Sequence, residues 1–386
     1  MRVAIPKEIL PHEGRVAATP ATVEKLQRLG CEVAVEAGAG LGAGIDDADY
    51  RQAGAVLVAQ ARELLQSADV VLKVKQPHFH EALGCHEVDL LRPGSTLITF
   101  LHPANPSNHE MVRNLARRNI TSFTMDGIPR ITRAQRMDAL TSMSTITGYK
   151  SVLIAANELG VFVPMMTTAI GNLEPAKVLV IGGGVVGLQA IATAKRLGGV
   201  VSAADIRPDA REQAKSLGAK IIGFDVPVEA AVGEGGYARA LPAALLEEER
   251  KLLAPAVAAS SMVILSALVP GKVAPLLITD EMVASMKRGS VIVDVAIDQG
   301  GNCAATVAGE MAVRHGVTIC GVVNIPGSLP VHATRLYSEN IFNYVQNLFR
   351  NGLEQPDFDD EITRSTLVTH QGQILHAGTR EAMGLA

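Results

Sequence analysis

Six residues near the middle of the chain, Gly182-Gly183-Gly184-Val185-Val186-Gly187, have the G-x-G-x-x-G spacing that lets a backbone wrap a diphosphate. The apolar run Val178 to Ile181 precedes them and a helical pattern, Leu188 to Leu197, follows. In that setting Gly182 makes the tight turn, Gly184 lets backbone approach a pyrophosphate, and Gly187 lets helix and strand pack closely. Free N–H groups at the helix start complete the anion site. A further strand pattern, Val200 to Ala204, ends in Asp205. Its carboxylate can accept both hydroxyls of an adenosine ribose and repels a 2′-phosphate, so the site favours NAD over NADP. The glycines alone describe an ordinary turn; with strand, helix and acid they form a nucleotide fingerprint. Arg207 reads two ways, as a hold for a 2′-phosphate or as a solvated surface charge.

A second cluster, His78, His80, Cys85 and His86, has metal-ligand residue types. Its spacing matches no zinc pattern and Pro77 marks a surface turn, so we expect no metal. The four cysteines, Cys31, Cys85, Cys303 and Cys320, contain no CxxC pair, which argues against a disulfide framework and fits a reducing cytosol.

The elements that must position these residues follow from size and pattern. A chain of 386 residues is longer than one core usually grows, so two domains are expected. With 48% hydrophobic and 19% charged residues it has the balance of a soluble globular enzyme, and with 3% aromatics its cores must be Val, Leu, Ile and Ala. A net charge of -4 with no basic block leaves no footprint for nucleic acid. Met1 to Glu8 lacks the apolar core of a signal peptide. The uncharged run Leu252 to Gly271 approaches the length of a membrane span, yet Pro255, Ser260-Ser261 and Pro270-Gly271 divide it into a helix end and a buried strand.

Strand patterns at Val3 to Ile5, Val33 to Val35, Val70 to Val74, Thr96 to Leu101 and Thr121 to Met125 alternate with helices, which means a parallel sheet with crossovers. Arg133 to Leu159 reads as a long connecting helix. A second series follows at Val178 to Ile181, Val200 to Ala204, Met262 to Ser266, Val291 to Val295 and Thr318 to Val322. Ala333 to Arg350 is helical, with Leu336, Ile341, Val345 and Leu348 on one stripe, and Thr366 to His376 has a hairpin pattern around Gln371-Gly372. The expected class is α/β, with two Rossmann-like domains joined by long helices. The first is discontinuous, residues 1–138 plus 329–386, and the second, the nucleotide-binding one, is 139–328.

Further stretches carry a resemblance over nearly the whole chain: Pro6-Lys7-Glu8 and Arg15-Val16-Ala17, Leu72-Lys73-Val74-Lys75, Leu268-Val269-Pro270-Gly271-Lys272, and Val293-Asp294-Val295-Ala296. With the fingerprint, they resemble the NAD(H)-binding α subunit (domain I) of proton-translocating transhydrogenase and its close relative alanine dehydrogenase. The decapeptide Pro129-Arg130-Ile131-Thr132-Arg133-Ala134-Gln135-Arg136-Met137-Asp138 resembles the transhydrogenase loop that borders the nicotinamide and reaches the partner domain carrying NADP(H). The match gives catalytic roles to Arg130, Gln135 and Asp138: an amide and a carboxylate fix a carboxamide and an arginine completes the network. Without it the segment reads as a solvated helix start. Thr141 stands where transhydrogenases tend to have Ser and keeps the hydroxyl.

Gly233 to Arg239 resembles the family's mobile loop, whose tyrosine, here Tyr237, closes over nucleotide between flexible glycines; the plainer reading is a surface loop. The resemblance extends the cofactor set to Gly182, Gly183, Gly184, Val185, Gly187, Asp205, Ile206, Arg207, Gly236, Tyr237, Ala267 and Leu268. Gly300-Gly301-Asn302-Cys303 is similar to the transhydrogenase form of that turn.

Other residues point to alanine dehydrogenase. Arg15 and Lys75 resemble its carboxylate and carbonyl binders, His102 its acid/base, and Asp298 the carboxylate that steers imine chemistry. The resemblance implies a subunit that binds NAD(H) and passes hydride to NADP+ on a transhydrogenase beta subunit, coupled to proton movement through a membrane-spanning subunit. It also implies a homodimer held at the cytoplasmic face of the membrane through its partners. The alternatives are a free-standing NAD-dependent alanine dehydrogenase and a non-catalytic NAD-sensing regulator.

Overall fold

The structure is a computed structural model that describes residues 1–223, 226–233, 238–269 and 273–385. The chain forms two compact units, Met1–Met143 with Pro326–Ala386, and Ser144–Ile325.

The first unit is built on an eight-stranded sheet. Val56–Val58, Glu32–Glu36, Arg2–Ile5, Val70–Leu72, Thr96–Thr99 and Thr121–Thr124 run parallel in that order. Val70–Leu72 and Thr96–Thr99 are buried at every residue, as strands covered by crossover helices on both faces must be. The chain returns through the helix Pro330–Leu348 to lay Leu367–His370 antiparallel on Thr121–Thr124. A hairpin to Gln373–Ile374 closes the edge, with Gln371 and Gly372 at positive φ in its turn. Ile341, Val345 and Leu348 of the returning helix are buried, but Leu336 is 40% exposed and Tyr337 takes its place on the stripe. The spacing explains it: 337, 341, 344, 345 and 348 share a face that 336 leaves by one residue.

The second unit holds a seven-stranded sheet in the order Lys220–Ile221, Val200–Ala204, Lys177–Ile181, Met262–Leu265, Val291–Asp294, Val317–Cys320, Met311–Arg314. All neighbours are parallel except the last pair. This is doubly wound: the strand order reverses between Lys177–Ile181 and Met262–Leu265, and sheets of this kind bind ligands outside the carboxyl ends of the strands at that switch point. Val178 and Val180 pack with Val152, Ala155 and Ile191 on one face. Leu179 and Ile181 pack with Leu253 and Val257 on the other.

Several expected boundaries move. The helical stretch from Arg133 breaks into a 3-10 turn, Thr132–Met137, and the helix Ala139–Glu158, with Asp138 at ψ 82° between them. The run Leu252 to Gly271 does divide into a helix end and a buried strand: Ala243–Ala259, with Pro255 inside it, and Met262–Leu265. Within the two large sheets, three short strands escape the sequence pattern, Val56–Val58, Lys220–Ile221 and Met311–Arg314, all at sheet edges where exposed residues blur apolar runs. Among the described residues no helix is long and apolar enough to cross a membrane.

Candidate functional site

The fingerprint forms the turn between Lys177–Ile181 and the helix Val185–Arg196. Gly182 sits at φ 98°, and a Cβ on it would lie 2.7 Å from the carbonyl carbon of Ser266 on the neighbouring strand's exit. A Cβ on Gly187 would come within 1.7 Å of the Gly182 carbonyl oxygen, so helix and turn close only around glycine. Gly184 differs: it precedes the first helical turn and a Cβ there would meet nothing within 4 Å. That open space lies against a helix start with unpaired N–H groups, which fits a dinucleotide's diphosphate. Val185 begins the helix, and Gly148 on Ala139–Glu158 lets that helix approach, since its Cβ would lie 2.2 Å from the Val186 carbonyl oxygen.

Asp205 follows Val200–Ala204, and its side chain is 7% exposed. Its Oδ2 accepts from the Gly183 N–H at 2.6 Å and from Arg207 Nη2 at 2.8 Å. Its Oδ1 accepts from the Arg207 backbone N–H at 2.7 Å and Nε at 3.0 Å. Arg207 is therefore not a solvated surface charge but half of a sheltered ion pair. Burial opposes its charge, and Asp205 more than compensates, holding the guanidinium above its ordinary range. Ile206, Ala267 and Leu268 are half-buried in the loops past the strand ends. Gly236 and Tyr237 lie outside the described residues, as do Pro270, Gly271 and Lys272.

Sequence reasoning missed Glu249 beside this acid. It lies between Leu246 and Leu253 on the sheet-facing stripe of Ala243–Ala259, a carboxyl among apolar neighbours. Burial, then the charge of Asp205, push it up to about 7 against the pull of Arg250.

In the first unit, Arg130 and Gln135 are exposed on and beside the turn Thr132–Met137, which Ala134 and Met137 anchor inward. Arg133 reaches back to Asn347 Oδ1 at 2.7 Å and to Asp360, and Asn340 Nδ2 donates to the Arg136 carbonyl at 2.8 Å. Asp138 and Thr141 are brought together: Oδ1 accepts the Thr141 N–H at 2.8 Å and Oδ2 its hydroxyl at 2.6 Å. Asp138 thus also caps the helix that follows.

The keto-acid candidates lie in several places. Arg15 is 3% exposed, with Nε 2.7 Å from Glu13 Oε1 and Nη1 directed at Met143 Sδ. His102, at φ 45°, stacks on Phe100, and its Nδ1 lies 2.8 Å from Asp126 Oδ1. Burial raises the Asp126 carboxyl, but His102 and the Thr124 hydroxyl outweigh it and hold it below the usual range. Asp126 went unread in the sequence, although an acid just past a parallel strand's carboxyl end is a recognisable signal. Lys75 is half-buried. Two residues before it, Lys73 is fully buried between Glu87, 2.6 Å away, and Glu8, 3.6 Å away. Asp298 is exposed on the 3-10 turn Val295–Gln299 of the second unit.

His78, His80, Cys85 and His86 fall on a small hairpin, Phe79–His80 with Cys85–His86, rather than a simple turn. His86 Nδ1 accepts the Val88 N–H as a helix cap. Among the described residues no group of three or more His, Cys, Asp or Glu is placed to hold a metal.

Both units are similar to known proteins. The N-terminal domain of the alanine dehydrogenase/PNT family matches residues 4–147 and its C-terminal domain residues 151–377. The first portion of the NAD(P) transhydrogenase subunit alpha of Rhodospirillum rubrum is 43% identical over 379 residues, covering 97% of this chain and 98% of that one. A transhydrogenase structure from Sinorhizobium meliloti superposes with a TM-score of 0.83 at 40% identity, over 98% of this chain and 99% of that one. An L-alanine dehydrogenase structure reaches a TM-score of 0.82 at 31% identity, with all of both chains covered.

Proposed function

Because this chain belongs to the alanine dehydrogenase/PNT family, we propose that it is the NAD(H)-binding alpha subunit of a proton-translocating NAD(P)+ transhydrogenase. Relatives at 40–43% identity are named NAD(P) transhydrogenase subunit alpha, whereas alanine dehydrogenases align at 30–34%. Bound NADH supplies the hydride, and NADP+ on a beta subunit receives it. The second unit holds the dinucleotide: Gly184 and the following helix start receive the diphosphate, Asp205 the adenosine ribose. Gly182, Gly183, Val185, Gly187, Ile206, Arg207, Ala267 and Leu268 shape that site; the resemblance adds Gly236 and Tyr237, which lie outside the described residues.

The observation that carries the transhydrogenase reading is the outward display of Arg130 and Gln135 on a turn held from behind by Arg133, Arg136 and Asn340. An exposed pair on a rigid base suits residues that act with a partner subunit. Gln135, Arg130, Asp138 and Thr141 then orient the reacting groups. A membrane-spanning subunit carries the protons, and this chain sits on the cytoplasmic face through its partners.

A homodimer fits one further surface. The hairpin Met166–Thr168 with Gly171–Leu173 exposes Met165, Met166, Leu173 and Ile170, the last 96% exposed, beside Val161 and Phe162. So large an apolar patch is suited to a second copy of the chain.

The His102–Asp126 pair favours a second reading, a free-standing alanine dehydrogenase. One experiment separates the two. The purified chain is assayed for NAD-dependent L-alanine oxidation alone, and for NADH-dependent reduction of an NADP+ analogue with an NADP-binding partner domain. We expect activity in the second assay and little in the first; robust alanine oxidation abolished by His102→Ala would reverse the assignment.

A further inference from the structure

The second half of a doubly wound sheet receives the second nucleoside of a dinucleotide, here the nicotinamide half. That half begins at Met262–Leu265, whose exit, Ser266 and Ala267, borders the fingerprint turn at Gly182. The ladder continues past the strand end: Ser266 N–H donates to the Ile181 carbonyl at 2.8 Å. At Ala267 no strand is left to pair with, and a side chain takes over. Asn302 Oδ1 accepts the Ala267 N–H at 3.0 Å, and Nδ2 donates to the Ala267 carbonyl at 2.8 Å and to that of Pro275 at 2.8 Å. One amide thus imitates a β partner and saturates both backbone groups of Ala267.

Asn302 is itself held on every side. It is fully buried, its N–H donates to Asp294 Oδ2 at 2.9 Å, and its carbonyl accepts from Leu277 and Ile278. Asp294, buried at the end of Val291–Asp294, also accepts from the Ala296 and Cys303 N–H groups. The loop from 295 to 301 is pinned at both ends by this carboxylate, and Gly301 is needed because a Cβ there would lie 2.9 Å from Asp294 Oδ2. The exits of two adjacent strands are therefore one rigid piece, joined through the Asn302 amide.

We propose that Asn302 is a positioning residue for the nicotinamide half of bound NAD(H), acting through the backbone of Ala267. It touches no substrate atom itself; without its amide the Ala267 carbonyl loses its donor and the strand exit relaxes. The inference rests on the nucleotide reading above, and the test keeps the two apart.

The test is a titration of the full chain with NADH and with ADP-ribose, which has the diphosphate and both riboses but no nicotinamide. The parent chain is compared with Asn302→Ala and with the isosteric Asn302→Asp, which retains the acceptor for Ala267 and loses the two donors. We expect both variants to weaken NADH by about tenfold, as befits partly buried carbonyls left without a donor, while ADP-ribose stays within about twofold. Asn302→Asp keeps the test open if the alanine variant does not fold. A merely structural role would weaken both ligands together, and that result, or no change in either, overturns the inference. A parent chain that binds neither ligand would sink the nucleotide reading and this inference with it.

Discussion

Arg207 folds back onto the acid two positions before it, with Nη2 2.8 Å from Asp205 Oδ2 and Nε 3.0 Å from Oδ1. With the two backbone donors, Gly183 and Arg207, these contacts occupy about the four lone-pair directions a carboxylate offers. A ribose diol reaches Asp205 only as the guanidinium gives way. Asp205→Ala removes the repulsion toward a 2′-phosphate and also releases a cation able to bind it. We predict that this variant narrows the preference for NADH over NADPH by roughly tenfold or more, and that the double variant with Arg207→Ala loses some of that gain. Parallel titrations with both nucleotides check it; an unchanged ratio in Asp205→Ala contradicts it.

Two fingerprint glycines separate stability from binding. Gly187→Ala places a methyl on the Gly182 carbonyl oxygen and is predicted to cost roughly 3 kcal/mol, read as a lower urea midpoint. Gly184→Ala puts its methyl in open space, so stability stays within about 1 kcal/mol. Its NADH affinity nonetheless falls more than about tenfold, because the methyl stands where the diphosphate approaches. Equal urea midpoints for the two variants would refute the distinction.

Gln135 is exposed and its neighbours, not its own side chain, hold the turn. Gln135→Ala is expected to leave folding and NADH dissociation within about twofold while slowing hydride transfer to a partner-bound NADP+ analogue by about tenfold or more. Stopped-flow transfer rates set beside equilibrium titration decide it. A loss confined to affinity would remove Gln135 from the catalytic set.

Glu249 sets a pH dependence whose sign follows from its position. Burial and Asp205 raise its carboxyl from 4.5 to about 7 in the folded chain. Between those values the unfolded chain has released the proton and the folded chain retains it. Stability from this group therefore falls as pH rises through that window and is level above it, by at most roughly 3 kcal/mol. Glu249→Gln removes the slope. Urea unfolding at pH 4.5, 6 and 8 should show the variant gaining on the parent up to about pH 7, and parallel curves would count against the placement.

The geometry of the glycine turn was legible because its constraints are local. Gly182, Gly184 and Gly187 act within one turn, and Asp205 ends the adjacent strand, so spacing alone carries the geometry. Arg207 was not settled by spacing, since nothing in the order of residues says that its side chain turns inward. Asn302 was read only as part of a turn, and Glu249 and Asp126 were missed, for a related reason. Each works across elements: Asn302 on Ala267, Glu249 near Asp205, Asp126 on His102. Such pairings depend on how strands are ordered in a sheet, which periodicity does not encode. The same holds for the strand Met311–Arg314, where exposed residues leave no alternation to read.

The first unit receives its edge strands from a stretch of chain made long after the rest of its sheet. Ser122 and Thr369, bonded through their hydroxyls where Thr121–Thr124 meets Leu367–His370, are 247 residues apart, and all of Ser144–Ile325 is synthesised between them. At about 5–20 residues per second, the earlier strand waits on the order of tens of seconds. During that interval the buried face of Thr121–Thr124 and the core residues Phe123 and Ile120 lack their final cover. A stop codon before Leu367 would leave the second unit's sheet complete and Thr121–Thr124 of the first without its antiparallel neighbour.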